Sequence, residues 1–214
     1  MKEFPCPYFA SKRRKGRAGS MLLAFFLLWV GSSAWAYTIY SVYTLGSGSD
    51  MLIDPTYSTA EKDTCAIYVK DGASLTLTNP TITTSGNTSS TDDSSFYGLN
   101  AAVLAENGGV IEMSGGTIVT SGSGANGIFA TGKGSKITVS DMTISCTGGN
   151  AHGLDATVTG TLIVNNVTAT TTSNNGSVIA TDRGSGTILV TGGTYAAGGR
   201  DSAGIYSTGI INVT

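Results

Sequence analysis

The chain has 214 residues, with 12 Lys and Arg against 14 Asp and Glu, and this length is typical of a single domain. The charge is unevenly distributed: six of the basic residues but only one acidic residue precede residue 37, which leaves six basic and 13 acidic residues in the rest of the chain. That acidic balance argues against nucleic acid, and against a membrane of anionic lipid, as partners of the part that follows residue 36.

Residues 1–36 predict a secretory signal peptide. A basic segment, residues 12–17, precedes the apolar run MLLAFFLLWVG at residues 21–31, and the small-x-small sequence AWA ends at Ala36. We therefore expect cleavage before Tyr37 and a secreted or cell-surface location. The alternative, a membrane anchor, is disfavoured because the apolar run is too short to cross about 30 Å of hydrocarbon as a helix.

From residue 66 onward the sequence repeats with a period near 25 residues. Segments such as AIYVKDGASLTL, AVLAENGGVIEM, GIFATGKGSKITV and GLDATVTGTLIV begin at residues 66, 102, 127 and 153, and further copies begin at 177 and 204. The longest interval contains a predicted loop insertion, residues 85–100. Residues 37–65, which precede the repeats, predict an N-terminal cap or a first irregular coil.

Each repeat predicts three short strands and three turns. Apolar residues alternate with polar ones at a period of two, clusters of Gly and Ser separate the alternating segments, and no segment has a helical stripe. Such a unit can bury its apolar face only by stacking on its neighbours, so that each strand pairs in parallel with its counterpart one turn later. The prediction is an all-β, right-handed parallel β-helix, or solenoid, of about six coils over residues 66–214.

The sequence stops at GIINVT, after the second strand of the sixth repeat. No polar cap follows, and a solenoid that ends there leaves backbone and core unpaired. We therefore expect either a missing C-terminal region or end-to-end association.

Units such as GIFATGKGSKITV resemble the pectate-lyase-like right-handed parallel β-helices, and within them the adhesin-like proteins and autotransporter passenger regions of bacterial and archaeal surfaces, including the outer membrane. The resemblance covers residues 66–214. It implies a non-enzymatic structural or binding protein whose surface ligand is a glycan or a protein. The alternative within the same fold is a polysaccharide lyase or glycoside hydrolase, and a remote one is an ice-binding β-helix.

One column of outward positions on the first strand of each repeat is largely apolar. Its members are Tyr68, Leu104, Phe129, Asp155, Ile179 and Tyr206. Without Asp155 these residues predict a binding ridge along one face. The equally weighted alternative is a face covered by another segment, for example residues 37–57. In the same register, Val178 and Ala180 are predicted to point inward.

A second outward column is a threonine ladder formed by Thr81, Thr117, Thr143, Thr168 and Thr194. Only two of its members are followed two residues later by another threonine: Thr83 follows Thr81, and Thr170 follows Thr168. Paired threonine columns are the pattern of flat ice-binding faces. The incomplete pairing here is instead typical of solvated strands, in which β-branched residues are common.

The sequence predicts no catalytic residue, no cofactor and no metal site. His152 shares its repeat position with Asn126 and Ala203, and this variety predicts a solvent-facing turn. The acidic residues occupy different columns, mostly in turns, and the closest pair is Asp155 and Asp182, one turn apart. We expect both to lie on a solvated surface.

Cys65 and Cys146 are the two cysteines that follow the predicted signal peptide. The repeat places them about three turns, or roughly 14 Å, apart along the solenoid. A disulfide requires Cα atoms within about 7 Å of each other. The sequence therefore predicts two free thiols.

Overall fold

The computed structural model describes residues 37–214, in which 20 strands and one short helix wind into a parallel β-helix. The predicted signal peptide and its cleavage point after Ala36 lie outside the described residues. Sheet A contains β1 Tyr40–Leu45, β4 Thr64–Val69, β7 Val103–Glu106, β10 Ile128–Thr131, β13 Leu154–Thr157, β16 Ile179–Thr181 and β19 Ile205–Ser207.

Two further sheets complete each turn. Sheet B contains β2 Ser49–Ile53, β5 Ser74–Thr78, β8 Val110–Ser114, β11 Lys136–Ser140, β14 Thr161–Asn165, β17 Thr187–Thr191 and β20 Ile210–Val213. Sheet C contains β3 Thr56–Thr59, β6 Thr81–Thr84, β9 Thr117–Thr120, β12 Thr143–Cys146, β15 Thr168–Thr171 and β18 Thr194–Ala197. In the part of the chain that the structure describes, no helix is long and apolar enough to span a membrane.

The parallel β-helix predicted from the repeats is confirmed, and one turn before the six coils predicted for residues 66–214 brings the total to about seven. The additional turn comes from β1, β2 and β3, which pair in register with β4, β5 and β6. Residues 37–65 therefore contain a regular first turn and not an irregular cap. The sequence did not predict β1, β2 and β3, because residues 37–65 lack the Gly-x-Ala-Thr pattern that marks several of the later repeats.

The interior is a stack of like side chains, one layer for each turn. In sheet B the residues Leu75, Ile111, Ile137, Leu162 and Ile188 are paired in register and fully buried, as the alternation of apolar and polar residues predicts. Stacked aliphatic side chains fill a narrow core at high density, and this layer-by-layer burial holds the turns together.

The predicted register of sheet A is wrong by one residue at β16. Ile179, which was predicted to point outward, pairs with Leu154 and Ile205 and belongs to the interior core. Ala180 takes the outward position beside Asp155. Because Val178 and Ile179 are both apolar, alternation alone did not distinguish the two registers, and a slip of one residue exchanges the two faces of a strand.

Stacked polar residues support the corner between sheets B and C. Its positions have positive φ in successive turns, and they are occupied by Asp54, Asn79, Gly115, Asp141, Asn166 and Gly192. Asn79 Nδ2 donates to Asp54 Oδ1 at 2.8 Å, and Asn166 Nδ2 donates to Asp141 Oδ1 at 2.7 Å. Asn, Asp and Gly tolerate this conformation better than other residues, and their side chains hydrogen-bond from turn to turn.

The insertion at residues 85–100, predicted as a loop, contains the helix α1, Thr91–Tyr97. Ser90 caps its N-terminus by accepting a hydrogen bond from the Asp93 N–H at 3.1 Å, and Gly98 ends it with φ of 76°. The insertion lies on the outer face of sheet A, because the Thr157 hydroxyl donates to the Phe96 carbonyl at 2.8 Å.

Residues at the start of the described chain cover the neighbouring part of the same face. The Tyr37 ring stacks on Tyr97 of the insertion, with 4.7 Å between ring centroids. The Tyr37 hydroxyl donates to Glu106 at 2.5 Å, and the Tyr68 hydroxyl donates to the other oxygen of the same carboxylate. Ile39 packs against a buried cluster on this face that is formed by Cys65, Tyr68, Ala101, Leu104 and Phe129. The outer face of sheet A is thus enclosed over β4, β7 and β10, where Tyr68, Leu104 and Phe129 are buried.

Both cysteines of the described chain are free, as predicted, and both are buried. The Cys65 thiol donates to the Gly98 carbonyl at 3.7 Å, and the Cys146 thiol donates to the His152 carbonyl at 3.5 Å. Burial raises the pKa of Cys65 to about 12 and that of Cys146 to about 11. Neither side chain is therefore a thiolate at neutral pH.

We expect neither thiol to react with an aromatic disulfide reagent at pH 8 while the protein is folded. Both thiols are buried away from the reagent, and their raised pKa values keep them protonated. In a Cys6→Ser background, two thiols should react after unfolding without reductant. The measurement is absorbance of the released thiolate with and without denaturant. Rapid labelling of the folded protein, or no labelling after unfolding, would contradict the buried free thiols.

Candidate functional site

The residues of the predicted binding ridge do not form one exposed surface. Tyr68, Leu104 and Phe129 are buried in one apolar cluster beneath the insertion, and Ile179 lies in the solenoid interior. Of the five, only Tyr206 is substantially exposed, at 44 %. The alternative of a covered face holds for Leu104 and Phe129, but the cover is residues 85–100 together with residues 37–39 rather than residues 37–57.

Beyond the insertion, the outer face of sheet A opens into a cavity of about 220 Å³. Its lining is formed by Ser95, Asn150, His152, Asn175, Ser177, Asp182, Asp201 and Tyr206. These residues come from the insertion helix and from three successive turns, and all of them carry hydroxyl, amide, carboxylate or imidazole groups. The cavity is therefore a polar site that no single repeat contains.

His152 is buried in the floor of this cavity, so the prediction of a solvent-facing turn is wrong. Its backbone N–H donates to Asn126 Oδ1 at 2.7 Å, and the Ser177 N–H donates to its Nδ1 at 3.1 Å. The cover comes from the insertion, because Asn126 Nδ2 in turn donates to the Ser94 carbonyl at 3.0 Å. The insertion, which lies more than 50 residues before His152 in the sequence, thus helps to shield His152 from solvent.

Asp155 also departs from the prediction of a solvated surface, since it points outward from β13 but is fully buried. Among the described residues, neither of its carboxylate oxygens has a hydrogen-bond partner. Burial raises the pKa of Asp155 to about 8; nearby His152 opposes this rise and Asp182 adds to it. Backbone amides of Asp182 and Ala156 lower the pKa in part without reaching hydrogen-bond geometry.

Asp182 completes a cluster with these two residues. It follows β16, and its Oδ2 lies 3.6 Å from His152 Nε2. One ligand atom from each of His152, Asp155 and Asp182 can be chosen so that all three lie within 4.8 Å of one another, which no other group of His, Cys, Asp or Glu among residues 37–214 achieves. Three donors that converge beside a cavity can act in proton transfer or hold a cation.

The charges of the cluster are strongly coupled. Burial by itself lowers the pKa of His152, but the close contact with Asp182 and the charges of both carboxylates outweigh burial, and the net shift is upward. With a neutral imidazole and two ionised carboxylates the cluster carries a charge of −2. A buried group of this charge is stable only with bound protons or a cation.

The sequence did predict that Asp155 and Asp182 are the closest acidic pair, but it missed their convergence with His152. The motif AHGLD separates His152 from Asp155 by three residues, and the repeat period brings Asp182 to the next turn. The error of one residue at β16 hid this arrangement. In the correct register Asp155 pairs with Ala180, and Asp182, two residues after Ala180, falls on the same outward face by the alternation of the strand.

The threonine ladder is present on the outer face of sheet C and includes one more member, Thr56. The outward column beside it is occupied by Ser58, Thr83, Val119, Ser145, Thr170 and Ala196. Paired threonines therefore remain confined to the turns of Thr83 and Thr170. This face is a mixed polar and apolar surface rather than a regular array of threonine pairs.

The cavity and its cluster thus lie on a parallel β-solenoid of about seven turns. No protein-family model, curated protein or solved structure matches the chain.

Proposed function

We propose that the chain is a secreted or cell-surface β-solenoid of the adhesin-like kind, and that it binds a carbohydrate in the cavity beside the insertion. The observation that carries the proposal is the lining of that cavity. Eight polar side chains from the insertion and from three turns surround one opening.

The chemistry of the lining suits a sugar. Hydroxyl groups of a sugar require both donors and acceptors, which the amides of Asn150 and Asn175 and the carboxylate of Asp201 supply. The exposed ring of Tyr206 offers an apolar surface with a polar tip, on which the C–H face of a sugar ring packs. Since pockets for drug-sized ligands measure about 300–1,000 Å³, a cavity of 220 Å³ suits one sugar unit of a glycan.

The solenoid is a suitable carrier for such a site. Its parallel strands hydrogen-bond from turn to turn, so side chains contributed by different turns are held at fixed spacings. A predicted export signal and an acidic remainder are consistent with display in an extracellular environment.

A polysaccharide lyase or glycoside hydrolase is the second candidate, and the convergence of His152, Asp155 and Asp182 favours it. Against acid–base catalysis by all three stands the burial of Asp155, whose carboxylate does not reach the cavity surface. Glycosidases also place their two carboxyl groups on opposite sides of the substrate, about 5–9.5 Å apart, whereas here Asp155 is buried beneath the cavity.

A glycan array followed by calorimetry with the best-bound glycan tests the proposal. We expect Tyr206→Ala to weaken binding by about tenfold or more, because an aromatic contact at the centre of a site contributes strongly to affinity. The matched control is Tyr40→Ala, which removes an exposed tyrosine from the first turn and should leave affinity unchanged.

Absence of glycan binding by the wild-type protein, or equal affinity of both variants, would contradict the proposal. Release of unsaturated uronates from pectin or alginate would instead favour the lyase. Loss of that release in Asp182→Asn would assign it to the cluster.

A further inference from the structure

We propose that His152, Asp155 and Asp182 form a binding site for a first-row divalent transition-metal ion such as Zn²⁺, at the floor of the cavity. This inference does not depend on carbohydrate binding, since it rests on the three side chains alone. It differs from the prediction made from the sequence, which contained no metal site.

The separations of the three groups suit a small cation. Zinc binds imidazole nitrogen and carboxylate oxygen at about 2.0–2.2 Å, so that ligand atoms around one tetrahedral ion lie on the order of 3.5 Å apart. His152 Nε2 and Asp182 Oδ2 are already 3.6 Å apart. The widest separation within the cluster is no more than 4.8 Å, which requires a contraction on the order of 1 Å by side-chain rotation.

The buried carboxylate of Asp155 is the second, independent observation that indicates a ligand. It is fully buried, lies within the cluster, and has no hydrogen-bond partner among the described residues. Buried charges in proteins are almost always paired or bound to metal, because an unpaired one costs several kcal/mol of desolvation. A divalent cation would neutralise both carboxylates and satisfy the oxygens that the protein leaves free.

The surroundings of His152 also suit a ligand. A metal-bound imidazole usually donates its other N–H to a backbone carbonyl, and this fixes the orientation of the ring. His152 Nδ1 lies 3.2 Å from the Ser177 carbonyl oxygen, while Nε2 faces Asp182. Nδ1 also lies 3.1 Å from the Ser177 backbone nitrogen, from which it accepts a hydrogen bond when it is unprotonated. Binding of an ion at Nε2 requires the other tautomer, in which Nδ1 carries the proton and donates it to the Ser177 carbonyl.

The mixture of donors selects the class of ion. Imidazole favours Zn²⁺ and similar transition metals, whereas Ca²⁺ and Mg²⁺ prefer sites made only of oxygen. His152 and Asp182 line the cavity, so an ion can enter from solvent and one side of it stays accessible. Asp155 closes the opposite side, where the register places the small Ala180 beside it.

The test is calorimetric titration of chelator-treated, purified protein with ZnCl₂, supported by the absorption spectrum of the Co²⁺ form. We expect one Zn²⁺ per chain, much weaker binding of Ca²⁺ and Mg²⁺, and Co²⁺ bands typical of nitrogen and oxygen ligands. Loss of an outer-shell partner alone lowers metal affinity about 10- to 100-fold, so His152→Gln and Asp182→Asn should each lower it at least about 100-fold. Glu112→Gln, which removes an exposed carboxylate on sheet B, is the matched control.

Asp155→Asn supplies a readout that a purely structural role would not produce. Without metal this variant should melt at a higher temperature than the wild type, because a neutral amide replaces a buried carboxyl group that has no hydrogen-bond partner among the described residues and can ionise. With saturating Zn²⁺ the order should reverse, because only the wild type gains the full stabilisation from binding.

Several results would overturn the proposal: no Zn²⁺ binding by the wild-type protein, an unchanged affinity in both His152→Gln and Asp182→Asn, or equal Zn²⁺-induced melting shifts in the wild type and Asp155→Asn. Binding of Ca²⁺ as tight as that of Zn²⁺ would overturn the assignment to a transition metal. Because all of these readouts are made without glycan, their failure is distinct from failure of carbohydrate binding.

Discussion

Replacing Gly122 by alanine is expected to lower the free energy of unfolding by about 3 kcal/mol or more. A Cβ atom at this position would overlap the carbonyl oxygen of Gly86 in the turn below, and it would lie 2.6 Å from the carbonyl carbon. The obstacle is backbone and not the end of a flexible side chain, so the two turns must separate. Gly148 meets Gly122 in the same way, and the contact is thus a repeated feature of this corner.

The matched control is Gly204→Ala, at a glycine in the final turn. No atom lies within 4 Å of a Cβ built there, and its φ is not in the left-handed region. We therefore expect a change within about 0.5 kcal/mol. Urea denaturation followed by circular dichroism measures both variants. Equal stability of the two variants would show that the close stacking at Gly122 is not what limits this position.

Phe129→Ala is expected to cost about 3–5 kcal/mol, the usual range for truncating a fully buried aromatic residue. Phe129 points outward from β10, yet it is completely buried. A Cβ at Gly98, the residue that ends α1, would lie within 3 Å of both Phe129 and Leu104. The cost therefore measures how tightly the insertion packs on sheet A.

Leu189→Ala is the matched control for this prediction. Leu189 also points outward from a strand, on sheet B, but it is 39 % exposed. Its truncation should change stability by about 0.5 kcal/mol or less, as for most surface substitutions. Chemical denaturation of both variants makes the comparison, and similar small losses would mean that Phe129 lies on an open face, as a binding ridge requires.

The repeat made most of the fold predictable. Its period, its alternation and its glycine clusters predicted the parallel pairing, the stacking of apolar side chains between turns, and the free thiols. The prediction failed where the pattern was ambiguous, at the adjacent apolar residues Val178 and Ile179, and where the pattern was weak, in the first turn. In both cases the register is decided by hydrogen-bonded pairing with the neighbouring strands, which the local sequence pattern does not specify.

The candidate site was much less predictable. Ser90, Asp93 and Gly98 do form a recognisable set of helix-capping signals, and these could have predicted α1 within the insertion. No local signal, however, indicated where that helix would lie. Its position on sheet A helps to enclose Leu104 and Phe129, and it brings Ser95 into the lining of the cavity beside His152 and Tyr206.

The sequence by itself determined a solenoid, because stacking of like side chains is a local, periodic property that every repeat expresses separately. Only the tertiary structure decided which outward residues are enclosed and which are exposed. That outcome depends on a contact between an insertion and strands about 60 residues away, as in the hydrogen bond from Thr157 to Phe96. The convergence of His152, Asp155 and Asp182 arises in the same way, because two successive turns must stack in one register before their side chains meet.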